Sequence, residues 1–205
     1  MTLFEFDNEI RKDYNIVCGC DEAGRGPLAG DVFAAAVIFD KDTVIEGIND
    51  SKKLTPKKRD ILFDEIMEKA LDFSIQTATV GEIEEFNILN CAMLAMRRAV
   101  EDLEIKPDIC IIDGNKTPDG LLCPAKAVVK GDGKSQAVAA ASILAKVARD
   151  RYMEQMSEKY PHYQFEKHKG YGTKLHYQML DEFGPCEIHR MSFLKKYYAT
   201  KEKQS

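Results

Sequence analysis

Acidic residues stand at the ends of two apolar segments of this 205-residue chain. Asp21 and Glu22 directly follow IVCGC, and Asp113 ends DICIID. Ligands of α/β sheets collect beyond the carboxyl ends of the strands, so the terminal acids of neighbouring strands converge there. Converging carboxylates either share protons as an acid–base pair or bind hard cations such as Mg²⁺ and Mn²⁺. For Asp21 and Asp113 taken singly, a turn residue at a strand end explains the position nearly as well.

A further acid, Asp132, lies in KGDGKS just before an alanine-rich stretch. It is a candidate fourth oxygen donor. Spacing alone favours a simpler interpretation, in which the dipole of the following helix stabilises an acid near its N-terminus. No His or Cys joins these acids at zinc-like spacing, so an oxygen-only site points away from zinc.

Other residue types offer less chemistry. The chain contains no G-x-S-x-G or P-loop sequence. Its six cysteines include no C-x-x-C pair, and we interpret them as buried free thiols of a reducing compartment. The histidines all lie in the last quarter of the chain, and surface or hydrogen-bonding roles are expected for His162, His168, His176 and His189.

The net charge of −5 runs against a nucleic-acid-binding function, because phosphate contacts favour basic surfaces. The basic residues are clustered, however, within residues 52–59, 167–169 and 195–196. Together these clusters permit nucleic acid without proving it. No apolar run approaches the roughly 18 residues of a membrane span, and the N-terminal segment lacks the order of a signal peptide. We therefore expect a cytoplasmic protein with no membrane partner.

Apolar periodicity and turn residues predict the elements that must position these acids. Strands are predicted at 16–20, 30–39, 73–80, 108–113 and 125–130, and helices at 55–71, 82–104, 135–159 and 174–182. Strands that come first and then alternate with helices indicate an α/β fold with a mixed sheet covered by helices. The alanine-rich helix can approach that sheet closely, because small side chains keep its packing face flat.

Seven segments occur in order along the chain: DEAGRGPLAG, NDSKKLTPKKRD, FNILNCAMLAMRRAV, IIDGN, KGDGKSQAVAAASILAKVARDRYM, KGYGT and IHRMSF. In order and approximate spacing they resemble bacterial ribonuclease HII, from about residue 16 to residue 193. The resemblance implies a ribonuclease H-like mixed sheet flanked by helices, with a C-terminal helical extension. It divides the chain into a lead segment (1–15), a catalytic core (16–160) and an extension of the same domain (161–205). The order of the tail KKYYATKEKQS stays open.

The resemblance also implies an activity. Family members hydrolyse the RNA strand of RNA–DNA hybrids and cut on the 5′ side of single ribonucleotides in duplex DNA, leaving 3′-hydroxyl and 5′-phosphate ends. Two divalent ions, Mg²⁺ or Mn²⁺, carry this chemistry. The family's metal-holding acids correspond to Asp21, Glu22, Asp113 and Asp132. This overrides the simpler interpretation of Asp132, whereas Asp150 in VARD does not match the family's fourth acid.

The remaining site residues follow from the same resemblance. The glycine–arginine–glycine segment would examine the ribose 2′-hydroxyl through close backbone approach and would contact a phosphate through its arginine. A tyrosine of KGYGT would stack near the junction between ribonucleotide and deoxyribonucleotide. Support for the substrate or the active site is expected from Lys52 and from the Ser142/Lys146 pair, with helix packing an alternative for Ser142. The substrate-binding residues are then Gly24, Arg25, Gly26, Lys52, Ser142, Lys146 and Tyr171.

Three other functions compete with this one. Ribonuclease HIII shares much of the core but usually carries a separate N-terminal domain, and only about 15 residues precede the first strand here, which favours ribonuclease HII. A resolvase-like nuclease would be indifferent to ribose. A noncatalytic nucleic-acid-binding module would not need four intact acids. We expect a monomer, and the sequence shows no motif for docking on a sliding clamp.

Overall fold

The computed structural model describes residues 1–202. Its strands are β1 (Val17–Ala23), β2 (Val32–Ile38), β3 (Asp72–Ala78), β4 (Ile109–Asp113) and β5 (Ala125–Val128). Its α-helices are α1 (Leu3–Ile10), α2 (Pro56–Lys69), α3 (Val80–Phe86), α4 (Ile88–Glu101), α5 (Gln136–Lys159), α6 (Phe165–His168), α7 (Lys174–Phe183) and α8 (Met191–Glu202). Single turns of 3₁₀ helix cover Ser51–Lys53, Gly131–Gly133 and Pro161–Tyr163.

The strands form one mixed sheet in the order β3-β2-β1-β4-β5. β2 runs antiparallel to β1 and β3, while β1, β4 and β5 are parallel. Cys20 of β1 pairs with Ile112 of β4, so the residues that follow each of them, Asp21 and Asp113, lie side by side where the pairing of these two parallel strands ends. β1 itself continues beyond Asp21 and Glu22, so both lie within the strand, whereas the sequence predicted that they follow it. The predicted α/β fold with a helix-covered mixed sheet is confirmed, and so is the convergence of these two acids.

Helices cover both faces of the sheet. α4 packs on one face, over side chains such as Cys20 and Ala34, and α2 and α5 pack on the other, over Ala35 and Val37. α5 lies very close to β1, because a Cβ built at Gly19 would be 2.2 Å from the backbone carbon of Ala137. The predicted flat, alanine-rich packing face of this helix is therefore present.

The helix predicted over 82–104 is wrong as a single element. α3 ends at Phe86 and α4 begins at Ile88, because Asn87 between them has φ 66°. A positive φ is uncommon for residues other than glycine, and asparagine is enriched among those that adopt it. Its side chain then caps α4 by accepting the N–H groups of Leu89 and Asn90. Apolar periodicity continues across the break and hides it.

The predicted C-terminal helical extension is confirmed by α6, α7 and α8, although the bounds of α8 were not predicted, and neither was α1. α1 begins with a capping box, in which the Thr2 hydroxyl accepts the N–H of Glu5 and the Glu5 carboxylate accepts that of Thr2. α8 extends through most of the tail whose order the sequence left open, and residues 203–205 lie outside the described range. All six cysteines are free, and four of them are buried, as predicted. No helix within residues 1–202 is both long enough and apolar enough to cross a membrane.

Candidate active site

Asp21 is the most enclosed of the predicted metal ligands. Its side chain is 5% exposed, and its Oδ1 accepts the N–H of Glu22 at 2.7 Å. Burial raises the pKa of Asp21 well above its ordinary value, and the nearby carboxylates of Glu22 and Asp113 add to that rise. These acids are therefore close enough to repel one another across the edge of the sheet.

Asp113 and Asp132 are joined through a glycine. Asp113 Oδ1 accepts the N–H of Gly131 at 2.6 Å, which places the 3₁₀ turn Gly131–Gly133 beside the end of β4. A Cβ at Gly131 would approach both Asp113 Oδ1 (3.4 Å) and Val138 (3.3 Å), so the residue type suits this tight packing. Burial raises the pKa of Asp132, as does the carboxylate of Asp113. The structure thus brings Asp132 to the other acids.

Lys52 supplies positive charge to this cluster. Burial opposes the charged form of Lys52, but the carboxylates of Asp21, Asp132, Asp50 and Asp113 outweigh burial and raise its pKa. The predicted position of Lys52 at the site is therefore supported by its surroundings. Its ammonium group therefore stays charged near neutral pH.

Sequence reasoning missed Asp50. Its carboxylate accepts the N–H of Lys52 at 2.9 Å and so fixes the turn that carries this lysine. The next residue, Ser51, shares a buried hydrogen bond of 2.9 Å with Ser142 on α5, and Ser142 in turn hydrogen-bonds Asp21. The Asp-Ser-Lys sequence, which suits an Asx-type cap, was the available signal.

The donor set can be tested against the divalent ions that the sequence predicts. No group of three or more His, Cys, Asp or Glu side chains in the described part of the chain is arranged closely enough to hold a metal ion. The acids are thus neighbours without forming a closed coordination shell. Their chemistry nevertheless fits Mg²⁺ or Mn²⁺, because all the candidate ligands are carboxylate oxygens. The single charge of Lys52 cannot neutralise Asp21, Asp113 and Asp132 together, so a divalent cation would offset their repulsion.

The loop that follows β1, residues 24–31, is held by Arg190, which sequence reasoning did not assign. Its guanidinium is fully buried and donates to the carbonyl oxygens of Gly24 (2.7 Å), Pro27 (2.9 Å) and Gly30 (2.6 and 2.8 Å). Burial, and the nearby charge of Arg149, lower the pKa of Arg190 to about 9, which leaves it charged at neutral pH. The motif IHRMSF contained this arginine, but nothing local shows that its partners are backbone carbonyls far along the chain.

Arg149 of α5 is a second buried arginine at the same loop. It donates to the carbonyl oxygens of Ala29 (3.0 Å), Asp31 (3.2 Å) and Lys169 (3.0 Å), and so links this loop to the one that carries Tyr171. A Cβ at Gly24, where φ is +100°, would lie 2.2 Å from Arg149 Nε. Glycine is therefore required at this position on both conformational and steric grounds.

Three of the predicted substrate-binding residues, Arg25, Gly26 and Tyr171, are exposed and lie near the acids. Arg25 pairs with Glu22 at 3.1 Å and its side chain is half exposed. A Cβ at Gly26 would lie 3.9 Å from the Tyr171 ring, so these two residues face each other. Tyr171 is 42% exposed, which leaves its ring available to a ligand.

Lys146 faces Tyr171 rather than the acids. Its Nζ donates to Asp150 at 2.6 Å and lies 5.9 Å from the centre of the tyrosine ring. Asp150 also approaches Arg59 at 4.0 Å, so this acid sits in a basic neighbourhood. Lys146, Arg59 and Lys169 line a cavity of about 700 Å³ next to this region. The structure therefore divides the predicted residues into an acidic group around Asp21 and a recognition group around Tyr171.

Comparison with known proteins points to one family. A family model described as ribonuclease HII matches residues 18–196. The ribonuclease HII of Caldicellulosiruptor saccharolyticus is 57% identical over 189 residues, covering 92% of each chain. That of Idiomarina loihiensis is 57% identical over 178 residues, covering 87% of this chain and 95% of its own.

Solved structures agree with the sequence relatives. The crystal structure of ribonuclease H2 from Pyrococcus horikoshii is similar with a TM-score of 0.72 and 30% identity, covering 86% of this chain and 93% of that one. The ribonuclease HII of Archaeoglobus fulgidus, solved in complex with PCNA, gives a TM-score of 0.69 and 28% identity, covering 86% and 94%. A ribonuclease HIII, Bst-RNase HIII, solved with Mn²⁺, shares the fold at 19% identity and a TM-score of 0.66, covering 82% and 63%.

Proposed function

The chain belongs to the ribonuclease HII family, and from that membership we propose how its own residues select and cut a nucleic acid. It has the ribonuclease H-like fold and is a ribonuclease that acts on RNA–DNA hybrids. The finer activity we propose is cleavage on the 5′ side of a single ribonucleotide in duplex DNA, leaving 3′-hydroxyl and 5′-phosphate ends.

The observation that carries the proposal is the acidic cluster at the edge of the sheet. Asp21, Glu22, Asp113 and Asp132 would hold two divalent cations, because they offer hard oxygen donors and an excess of negative charge. Bound there, the cations would supply an activated water and would stabilise the departing 3′ oxygen. No strong general base is needed among the side chains, because metal binding lowers the pKa of water.

The chain's own residues place the substrate against these acids. Lys52 holds a positive charge among the carboxylates, where it would attract the scissile phosphate. Arg25, half exposed and adjacent to Glu22, would contact a neighbouring phosphate through its planar guanidinium. The backbone at Gly26 and the exposed ring of Tyr171 would meet the ribonucleotide itself.

Enzymes of this family depend on divalent metal, and the choice of ion is part of the proposal. Bst-RNase HIII was solved with Mn²⁺. We propose that both Mg²⁺ and Mn²⁺ support cleavage here, because carboxylate oxygens accept either ion. We further propose that the protein acts as a cytoplasmic monomer. The Archaeoglobus fulgidus relative was solved in complex with PCNA. Adding the sliding clamp of this protein's own organism to the cleavage assay therefore tests whether the cleavage rate depends on a partner.

The experiment uses three matched duplexes: one with a single ribonucleotide, one with a continuous RNA strand, and one of DNA alone. Each is incubated with the purified protein with and without Mg²⁺ or Mn²⁺, and the cut is mapped to the nucleotide. We expect metal-dependent cleavage 5′ of the single ribonucleotide, cleavage along the RNA strand, and an intact all-DNA duplex. Cleavage of the all-DNA duplex would support a resolvase-like nuclease, and binding without cleavage would support a noncatalytic module.

Asp113→Asn is the matched inactive variant. An asparagine oxygen can still accept the N–H of Gly131, so the turn that carries Asp132 keeps its position. We expect the variant to fold and to bind the duplex but to leave it uncut. Near-full cleavage by this variant would overturn the assignment of the acids.

A further inference from the structure

The loop that carries Tyr171 rests on three buried histidines. His168, His176 and His189 have at most 6% of their surface exposed. The rings of His168 and His176 stack with their centres 4.3 Å apart, and His176 Nε2 lies 3.0 Å from His189 Nε2. Phe165 packs against all three rings. The proposed cleavage chemistry uses none of these side chains.

The hydrogen bonds of this cluster fix which nitrogens carry protons. The backbone N–H of Cys186 can only donate, and it lies 2.8 Å from His189 Nδ1, so this nitrogen is the acceptor. The Cys186 carbonyl, 3.3 Å from the same nitrogen, already accepts the backbone N–H of His189. The proton of the neutral His189 ring is therefore on Nε2.

From His189 the chain of donors leads to Tyr171. His189 Nε2–H donates to His176 Nε2, which must then be unprotonated. The proton of His176 is on Nδ1, and it donates to the carbonyl oxygen of Tyr171 at 3.0 Å. Each step follows from the one before, because a neutral imidazole has one donor and one acceptor.

The peptide groups on the other side of Tyr171 are held in the same way. The N–H of Gly170 donates to His168 Nδ1 at 3.2 Å, and the N–H of Tyr171 donates to the His168 carbonyl at 2.8 Å. His168 Nε2–H then donates to the carbonyl of Tyr163 at 2.9 Å. The backbone around Tyr171 is thus held by neutral imidazoles together with backbone hydrogen bonds, while the tyrosine ring itself remains exposed.

We propose that His176 and His189 are positioning residues that set the place of Tyr171 for recognition of a ribonucleotide–deoxyribonucleotide junction. The inference rests on the proposed role of Tyr171. The Tyr171 carbonyl accepts the backbone N–H of Thr173 at 2.8 Å as well as His176 Nδ1–H at 3.0 Å, and within residues 1–202 the imidazole is its only side-chain donor. The link from His176 would therefore help to set where the exposed ring stands relative to Gly26. A packing cluster without this role would affect every substrate alike when altered.

Two substitutions of one residue separate these interpretations. In His176→Asn the amide nitrogen takes the place of Nδ1 and can still donate to the Tyr171 carbonyl. In His176→Gln the amide group reaches the place of Nε2, keeps a partner in His189 and loses the bond to Tyr171. The measured quantity is the ratio of kcat/KM on a duplex with one ribonucleotide to kcat/KM on a continuous RNA–DNA hybrid, which lacks the junction.

We expect His176→Asn to keep the wild-type ratio and His176→Gln to lower it about tenfold, the effect of one lost hydrogen bond. In a Tyr171→Ala background, His176→Gln should lower the ratio no further, because the two residues act in one chain. A ratio that is equal in His176→Asn and His176→Gln would overturn the inference.

The same measurements distinguish a wrong role for Tyr171 from a wrong role for the histidines that support it. An unchanged ratio in Tyr171→Ala alone would refute the proposed role of the tyrosine. A lowered ratio in Tyr171→Ala, with no difference between the two His176 variants, would refute only the positioning role. A measurement on the wild-type protein needs no variant to fold: the ¹⁵N shifts of the imidazoles should show protons on His189 Nε2, His176 Nδ1 and His168 Nε2. The opposite tautomer at His176 would also overturn the inference.

Discussion

Two loops meet beside the acidic cluster, and the side chains that hold them differ in charge. The loop of residues 24–31 is fixed by the charged guanidinium groups of Arg149 and Arg190, which donate to its carbonyl oxygens. The side chains that hold the loop around Tyr171 from within the tail are neutral imidazoles, which act beside its backbone hydrogen bonds. Arg149 also reaches the carbonyl of Lys169 and so joins the two loops. Both supports fix backbone groups, and they leave the side chains that would meet the substrate exposed.

The two sets of supporting side chains also differ in how their charge responds to pH. Arg190 keeps its charge at neutral pH even with its pKa lowered to about 9 by burial. Burial lowers the pKa of His176 and of His189 to about 4, so both are neutral at pH 7. Acid should therefore disturb the loop around Tyr171 and leave the arginine support intact.

Removing Arg190 should have the largest effect on stability. Arg190→Met leaves the carbonyl oxygens of Gly24, Pro27 and Gly30 without their donor, so we expect about 3 kcal/mol less free energy of unfolding and weak cleavage of every ribonucleotide substrate. Urea denaturation measures the change. Arg190→Lys is the control, because it keeps a charge but cannot reach all of these carbonyls. A loss below about 1 kcal/mol in Arg190→Met would show that the arginine is not the main support.

Acid should destabilise the histidine support. The folded pKa of His176 and His189 is about 4, against 6.5 in the unfolded chain, so the unfolded state binds more protons below pH 6.5. The stability that the neutral rings of His176 and His189 contribute is fully present above pH 6.5 and is lost as the pH falls to 4. We expect this loss to reach about 3 kcal/mol for one such histidine.

Other groups titrate in the same range, so the comparison is between the wild type and His176→Asn. The variant lacks one titrating ring and should lose less stability between pH 6.5 and 4. Equal slopes of unfolding free energy against pH would contradict the account.

Gly24 and Gly26, both in the loop of residues 24–31, should respond differently to an added methyl group. Gly24→Ala meets both a φ of +100° and the Arg149 side chain, so we expect it to cost about 2 kcal/mol. Gly26→Ala places its Cβ in ordinary contact with Tyr171 and should change stability by less than about 1 kcal/mol.

Gly26→Ala should still slow cleavage at a single ribonucleotide, because the added methyl stands where the backbone would approach the ribose. Thermal denaturation and kcat/KM on the single-ribonucleotide duplex measure the two effects. A wild-type cleavage rate in Gly26→Ala would show that the backbone at this glycine does not approach the ribose.

The sequence could predict the acidic cluster better than its supports. Asp21 and Asp113 each follow directly on an apolar segment, so their meeting follows from local patterns and from the parallel pairing of β1 with β4. Asp132 needed the family resemblance, because its spacing suited a helix terminus equally well. The roles of Arg149 and Arg190 could not be predicted, since their partners are carbonyl oxygens and carry no side-chain signal.

The errors in the secondary structure have equally local causes. The break at Asn87 lies inside an unbroken apolar period, so only the positive φ of this one residue reveals it. The histidines were expected to have surface or hydrogen-bonding roles, and the hydrogen-bonding role is confirmed for His168, His176 and His189. Their connection to Tyr171 depends on the folded tail, which no short motif describes.

We propose that the four acids of the group around Asp21 carry the cleavage and are held together against their own repulsion. Asp21→Asn tests it most directly, because the new side chain keeps an oxygen for the N–H of Glu22 and loses the buried charge. Cleavage of the single-ribonucleotide duplex and the free energy of unfolding without metal are measured on the same preparation. We predict no detectable cleavage, retained duplex binding, and a protein at least as stable as the wild type. Near-wild-type cleavage by Asp21→Asn would contradict the account.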